Sequence, residues 1–181
     1  KPASYATVLD EIRDTGYEGT ELGDWGFMPT DPAALRHELA ARGLTIAGAF
    51  VPIALPNPET HAARVESPLK TAALMRDAGA ADALIVLADD NASVPARERH
   101  AGRIGREHGL PERQWGRYAA GADLVARAVA QRTGLRTVFH PHCGGYVETP
   151  QEIDALMRRT DPARLGLVRL WKFAREDRDE D

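Results

Sequence analysis

Four glycines punctuate this chain in the same way, and that repetition limits its fold more than any other feature. Gly16 (in DTGY), Gly43 (ARGL), Gly79 (DAGA) and Gly134 (RTGL) each close a stretch of helical periodicity and precede a short apolar run. Glycine enters positive φ without a Cβ clash, so it ends a helix and turns the chain into the next strand. Helix, glycine, strand and polar turn in repetition make a series of βα units.

The helices carry start signals too. Ser4 can cap a helix whose apolar positions Tyr5, Val8, Leu9 and Ile12 share one face. Asp31-Pro32, Ser67-Pro68 and Thr149-Pro150 each pair a capping side chain with proline at the first helical position, and Thr149 with Glu152 makes a capping box. From about Trp115 to Arg132, the residues Trp115, Tyr118, Ala119, Ala122, Val125 and Val129 form a stripe wide enough to cover a sheet. Between the helices lie the apolar stretches 19–22, 45–51, 83–87, 137–139 and 165–168, read as strands. Apolar strands joined through helices imply a parallel sheet with helical crossovers, hence an α/β fold.

A doubly wound sheet and a (β/α) barrel both satisfy that alternation. No GxGxxG or GxxxxGK[ST] follows an early strand, which disfavours the first. A full eight-strand barrel takes about 250 residues. With 181 residues and five strands, the expectation is a partial (β/α)8 TIM barrel over 1–168, lacking the first and last strands, followed by a divergent charged tail over 169–181.

The balance of 23 basic and 27 acidic residues, with no basic track, argues against nucleic acid. No apolar run approaches bilayer length, and Cys143 alone cannot make a disulfide within the chain, so a cytoplasmic protein is expected, with a homo-oligomer compatible.

Ligand chemistry in such folds gathers at the carboxyl ends of the strands. The richest end is HPHCGGYVE, where His140 and His142 face one side by strand alternation and Glu148 offers a carboxylate if Gly144 and Gly145 fold the turn back. Imidazole and carboxylate suit a divalent transition metal or acid–base work on a polar small molecule. The bland alternative makes His140 a layer cap, His142 a solvated turn residue and Glu148 a helix-start charge. Cys143 is read as inert. Glu21, Trp25 and Phe27 combine a carboxylate with aromatic faces, as sugar sites do, or else Trp25 and Phe27 close the mouth by packing. Asp89-Asp90-Asn91 is ordinary turn chemistry or a hydroxyl- or hard-metal-binding cluster, with Asp89 the substrate-binding candidate. His37, His61, His100 and His108 are assigned no role, and the charged stretch 97–113 reads as a solvated connection.

The runs GYEGTELGDWGFMP and ARGLTIAGAFVPIAL, the W-x-x-YAxG helix, and VFHPHCGGYVETPQEIDALMRRTDPARLGLV together resemble the inosose dehydratase branch of the xylose-isomerase-like TIM-barrel superfamily. The resemblance extends from Tyr5 to Val168, and its most specific element is H-x-H-x-G at His140, His142 and Gly144. It implies sugar isomerase, epimerase or dehydratase chemistry, a small polyol or sugar substrate, and a divalent metal such as Mn2+ or Co2+, with His142 as a metal candidate. Glu21 and the histidine pair would lie at the substrate mouth. Endonuclease IV shares the fold, but the acidic balance disfavours DNA.

The family's LGLV strand continues into a metal-binding D-T-G-H, whereas here Val168 is followed by RLWKFA and REDRDED. The family's first strand would precede Lys1, and its last two have no counterpart. Two expectations follow: a metal-assisted polyol dehydratase or isomerase, or a non-catalytic truncated remnant or partner-dependent partial barrel.

Overall fold

The computed structural model describes residues 3–56, 65–90 and 94–168. Its elements alternate as the glycines require: α1 (Tyr5–Asp14), β1 (Gly19–Glu21), α2 (Pro32–Ala40), β2 (Thr45–Ile53), α3 (Glu66–Asp77), β3 (Leu84–Asp89), α4 (Pro95–Arg99), α5 (Glu112–Thr133), β4 (Arg136–Phe139), α6 (Pro150–Met157) and β5 (Leu165–Leu167). A 3₁₀ turn at Arg106–His108 lies between α4 and α5. The tail 169–181, His61 and Asn91 lie outside the described residues.

All five strands are parallel and their spatial order is β1-β2-β3-β4-β5. A doubly wound sheet reverses direction at a switch point, whereas sequential order keeps winding one way, as a barrel wall does. The sheet is therefore a segment of (β/α) barrel, and among the described residues it has open edges at β1 and β5.

The helical joints follow from local chemistry. Gly134 caps α5 at φ 77°, and Gly16, Gly43 and Gly79 take positive φ just beyond α1, α2 and α3. Ser4 and Asp31 accept the N–H groups of Thr7 and Ala34, and the Thr149/Glu152 capping box is complete. The Ser67-Pro68 device fails. Helix α3 begins earlier, at Glu66, with Val65 at its cap and no side-chain bond, so Pro68 sits within the first turn, where its missing N–H still has no intrahelical acceptor.

The core lies between helices and sheet. Ile85, Leu87 and Asp89 of β3 and Thr137 and Phe139 of β4 point to the helices and are buried, with Tyr118 of α5 against Phe139. The alternate residues Leu84, Val86 and Val138 line the concave face and are half-buried. That face would be the barrel interior.

Candidate active site at the carboxyl ends of the strands

The concave face forms a cavity of about 540 Å³ that runs along the strands past Leu84, Val86 and Val138 and takes in Glu21, Phe50, His140 and His142 toward the carboxyl ends. Glu21 arrives from β1 at one edge and the histidines follow β4, three strands away. Sheet geometry explains both. His140 N–H donates to the Leu87 carbonyl at 2.8 Å, so extended pairing continues past β4 and keeps His140 on the face of Val138. On the other side, a register shift between Thr20 and Glu21 pairs Glu21 with Gly48. Such a bulge re-aims a side chain. Gly48 is needed there because a Cβ would meet the Leu84 carbonyl oxygen at 2.8 Å.

The rings of His140 and His142 lie 5.6 Å apart, and each is 6.2 Å from Phe50. Burial and the neighbouring His142 hold His140 below the ordinary imidazole range, with Glu21 opposing them. His140 is therefore a neutral base at neutral pH. His142 Nδ1 lies 3.0 Å from the Cys143 carbonyl oxygen. A carbonyl only accepts, so this contact is a hydrogen bond when Nδ1 carries the proton, the tautomer that leaves the neutral ring's lone pair on Nε2.

The other candidates lie elsewhere. Glu148 turns away from the cavity: its carboxylate accepts Gly102 N–H at 2.5 Å and Gly144 N–H at 2.8 Å, stapling the connection before α5 to the histidine turn. Asp89 is buried on the helix side of β3, where it accepts Leu55 N–H at 3.3 Å and Tyr146 N–H at 2.9 Å, tying together the loops after β2 and β4. Burial pushes its carboxyl up to about 6, against the pull of the Tyr146, Leu55 and Asp90 amides. Trp25 packs beneath Lys70 Nζ, 4.3 Å from its ring centroid, in a separate groove against α3. Phe27 is exposed in the same loop and does not line the cavity. Cys143 is exposed.

The stretch 97–113 is not a solvated connection throughout. Arg97 is fully buried, bonded through Nη1 and Nη2 to Glu152 at 2.8 and 2.9 Å, to the His108 carbonyl at 2.8 Å and to the Gly145 carbonyl. Local sequence carries no signal of this, because its partners are up to 55 positions away.

The sequence profile of the family described as "Xylose isomerase-like TIM barrel" matches residues 9–168. The chain belongs to this family. Inosose dehydratase of Lacticaseibacillus casei is 33% identical over 171 residues, covering 93% of this chain and 54% of the relative. Inosose dehydratase of Geobacillus kaustophilus is 31% identical, covering 89% and 51%. The chain thus spans about half the length of the curated relatives it matches. Among solved structures, the probable 3-DHS dehydratase AsbF of Bacillus anthracis superposes with a TM-score of 0.64 at 15% identity, covering 92% of this chain and 57% of that one. A xylose isomerase-like TIM barrel protein of Mycobacterium smegmatis, in complex with magnesium, superposes at 0.63 with 16% identity, covering 90% and 55%. These last two establish the fold.

Metal binding needs a converging donor set. Among the described residues, no three His, Cys, Asp or Glu side chains gather closely enough to hold an ion. Divalent ions of this kind take roughly four to six ligands, so the residues described here do not by themselves fit the Mn2+ or Co2+ that the resemblance implies. Also among the described residues, no helix is long and apolar enough to cross a membrane.

Proposed function

We propose that this chain carries the acid–base sector of a sugar or polyol dehydratase or isomerase site of the inosose dehydratase kind. One observation carries the reading: Glu21 at the end of β1 and His140 and His142 in the turn after β4, three strands away, line one cavity with an apolar floor. In dehydration of a keto-inositol, His140, neutral because burial disfavours its cation, takes the proton alpha to the ketone. That C–H bond breaks, a C=C bond forms, and the hydroxyl beta to the ketone leaves as water once protonated. The protonated His140 supplies that proton, directly or relayed through the Nε2 lone pair of His142, and Phe50 presents a ring to the sugar's apolar face.

The test follows a keto-inositol in D2O with the purified chain, reading alpha-proton exchange by NMR and enone formation by ultraviolet absorbance. His140→Ala should lower exchange by about a hundredfold or more. Absence of exchange with the unaltered chain refutes catalysis by the chain alone.

A second reading, a partial barrel that works only with a partner polypeptide, is favoured by the half-buried Leu84, Val86 and Val138 on the concave face and by edges of β1 and β5 that no strand among the described residues covers. Adding the remaining segment of the Lacticaseibacillus casei enzyme as a separate chain distinguishes the two. Activity appearing only on mixing supports the partner-dependent reading.

A further inference from the structure

The turn that carries His142 has no helix or strand of its own between Phe139 and Pro150, so its shape depends on what its backbone groups find. His142 N–H donates to the Val147 carbonyl at 3.2 Å, which closes the turn on itself. Its outer groups are held by side chains: Gly144 N–H by Glu148, Tyr146 N–H by Asp89, and the N–H groups of Glu148 and Thr149 by Glu152 Oε2 at 3.0 and 3.1 Å. All three acceptors are carboxylates. Arg97 alone among the groups in this set brings positive charge, and it does so with no solvent exposure.

Its geometry serves several partners at once. The guanidinium forks onto both oxygens of Glu152, donates to the Gly145 carbonyl, reaches the His108 carbonyl, and lies 5.1 Å from the Tyr146 ring centroid. One planar group thus fixes the far side of the turn, its exit into α6, and the connection before α5. Lysine, a point charge without a fork, cannot make this set. The Cys143 carbonyl that receives His142 Nδ1 lies two residues from Gly145, inside the same closed turn.

We propose that Arg97 is a positioning residue for His142: by fixing Gly145 and Glu152 it holds the Cys143 carbonyl against Nδ1 and so keeps the His142 lone pair on Nε2. It does not line the cavity. The proposal rests on the reading of His142 as an acid–base residue for its functional meaning, but not for its test.

The test is 15N NMR of the histidine rings in the full chain without substrate, together with amide hydrogen exchange. The unaltered chain should show His142 with its proton on Nδ1, the minority form of imidazole in water. In Arg97→Lys that preference should be lost, and exchange of the Gly144, Gly145 and Tyr146 amides should rise about tenfold or more, while amides of α1 and β2 stay protected. Arg42→Lys, which loosens a remote bridge to Asp10 and Glu38, controls for general destabilisation and should leave the turn unchanged. Should Arg97→Lys not fold, Glu152→Gln removes the charge from the other half of the fork and is read in the same way. An Nε2-protonated His142 in the unaltered chain, or a turn that responds equally to Arg42→Lys, overturns the proposal. If the chain dehydrates a keto-inositol, Arg97→Lys should lower kcat while KM stays within about twofold. A chain inactive toward keto-inositol still yields the tautomer result, so the two readings fail separately.

Discussion

Replacing Asp89 by asparagine should change how stability depends on pH in a direction opposite to that of most carboxylates. Asp89 is 3% exposed and accepts amide hydrogens from the loops after β2 and β4. Those bonds favour the anion, but burial outweighs them and raises the carboxyl from an ordinary 3.8 to about 6. The sign follows from proton uptake. Between pH 3.8 and 6 the folded state holds the proton that the unfolded state has released, so the contribution of this group is fully present below pH 3.8 and is lost as pH rises to 6. At ~1.4 kcal/mol per pH unit, that gap amounts to ~3 kcal/mol. The substituted asparagine does not titrate, and its amide N–H₂ facing backbone donors costs roughly 1–3 kcal/mol at every pH. The assay is urea unfolding of both proteins from pH 4 to pH 8, taking the difference so that all other groups cancel. The unaltered protein should lose roughly 2 kcal/mol of that relative to Asp89→Asn between pH 4 and pH 7, because part of the contribution is already gone at pH 4. A flat difference, or one that grows with pH, would refute the argument that burial dominates at Asp89.

Three further outcomes follow from the same geometry. Gly48→Ala drives a Cβ to 2.8 Å from the Leu84 carbonyl and should cost about 1–3 kcal/mol in chemical denaturation while disturbing the Thr20/Glu21 bulge. Glu148→Ala leaves the Gly102 and Gly144 amides without their acceptor and should cost about 1–3 kcal/mol, seen as faster exchange at those two amides; unchanged exchange would return Glu148 to the groups facing the cavity. Trp25→Ala removes an exposed ring beneath Lys70 and should cost less than about 1 kcal/mol, with no change in the ring signals of His140 or His142.

The β-α alternation was legible because it is written in local chemistry. A glycine in positive φ, a capping oxygen or a proline in a first turn acts within four residues, so Gly134, Asp31 and the Thr149/Glu152 box could be read directly. The Ser67-Pro68 pair misled because proline is tolerated throughout a first turn and does not by itself locate the cap. The site was legible in part. Strand alternation correctly put His140 and His142 on the face opposite Phe139, and Glu21 reached the same cavity. For Glu148 the sequence offered a carboxylate near two glycines but no means of knowing that backbone amides would capture it.

What the chain determined on its own was the class of architecture and the identity of its richest strand end, since both rest on periodicity and caps that operate over a turn or two. Tertiary structure decided which polar groups face the cavity and which hold it in shape. Asp89 and Glu21 both stand at strand ends, yet parity across the pleat sends one to the helices, while a bulge opposite Gly48 sends the other to the concave face. Arg97 looked like one more charge in a polar connection until a carboxylate 55 residues away gave it a buried partner. A side chain's chemistry is local, but the field and the hydrogen-bond partners that give it a role come from whatever the fold brings beside it.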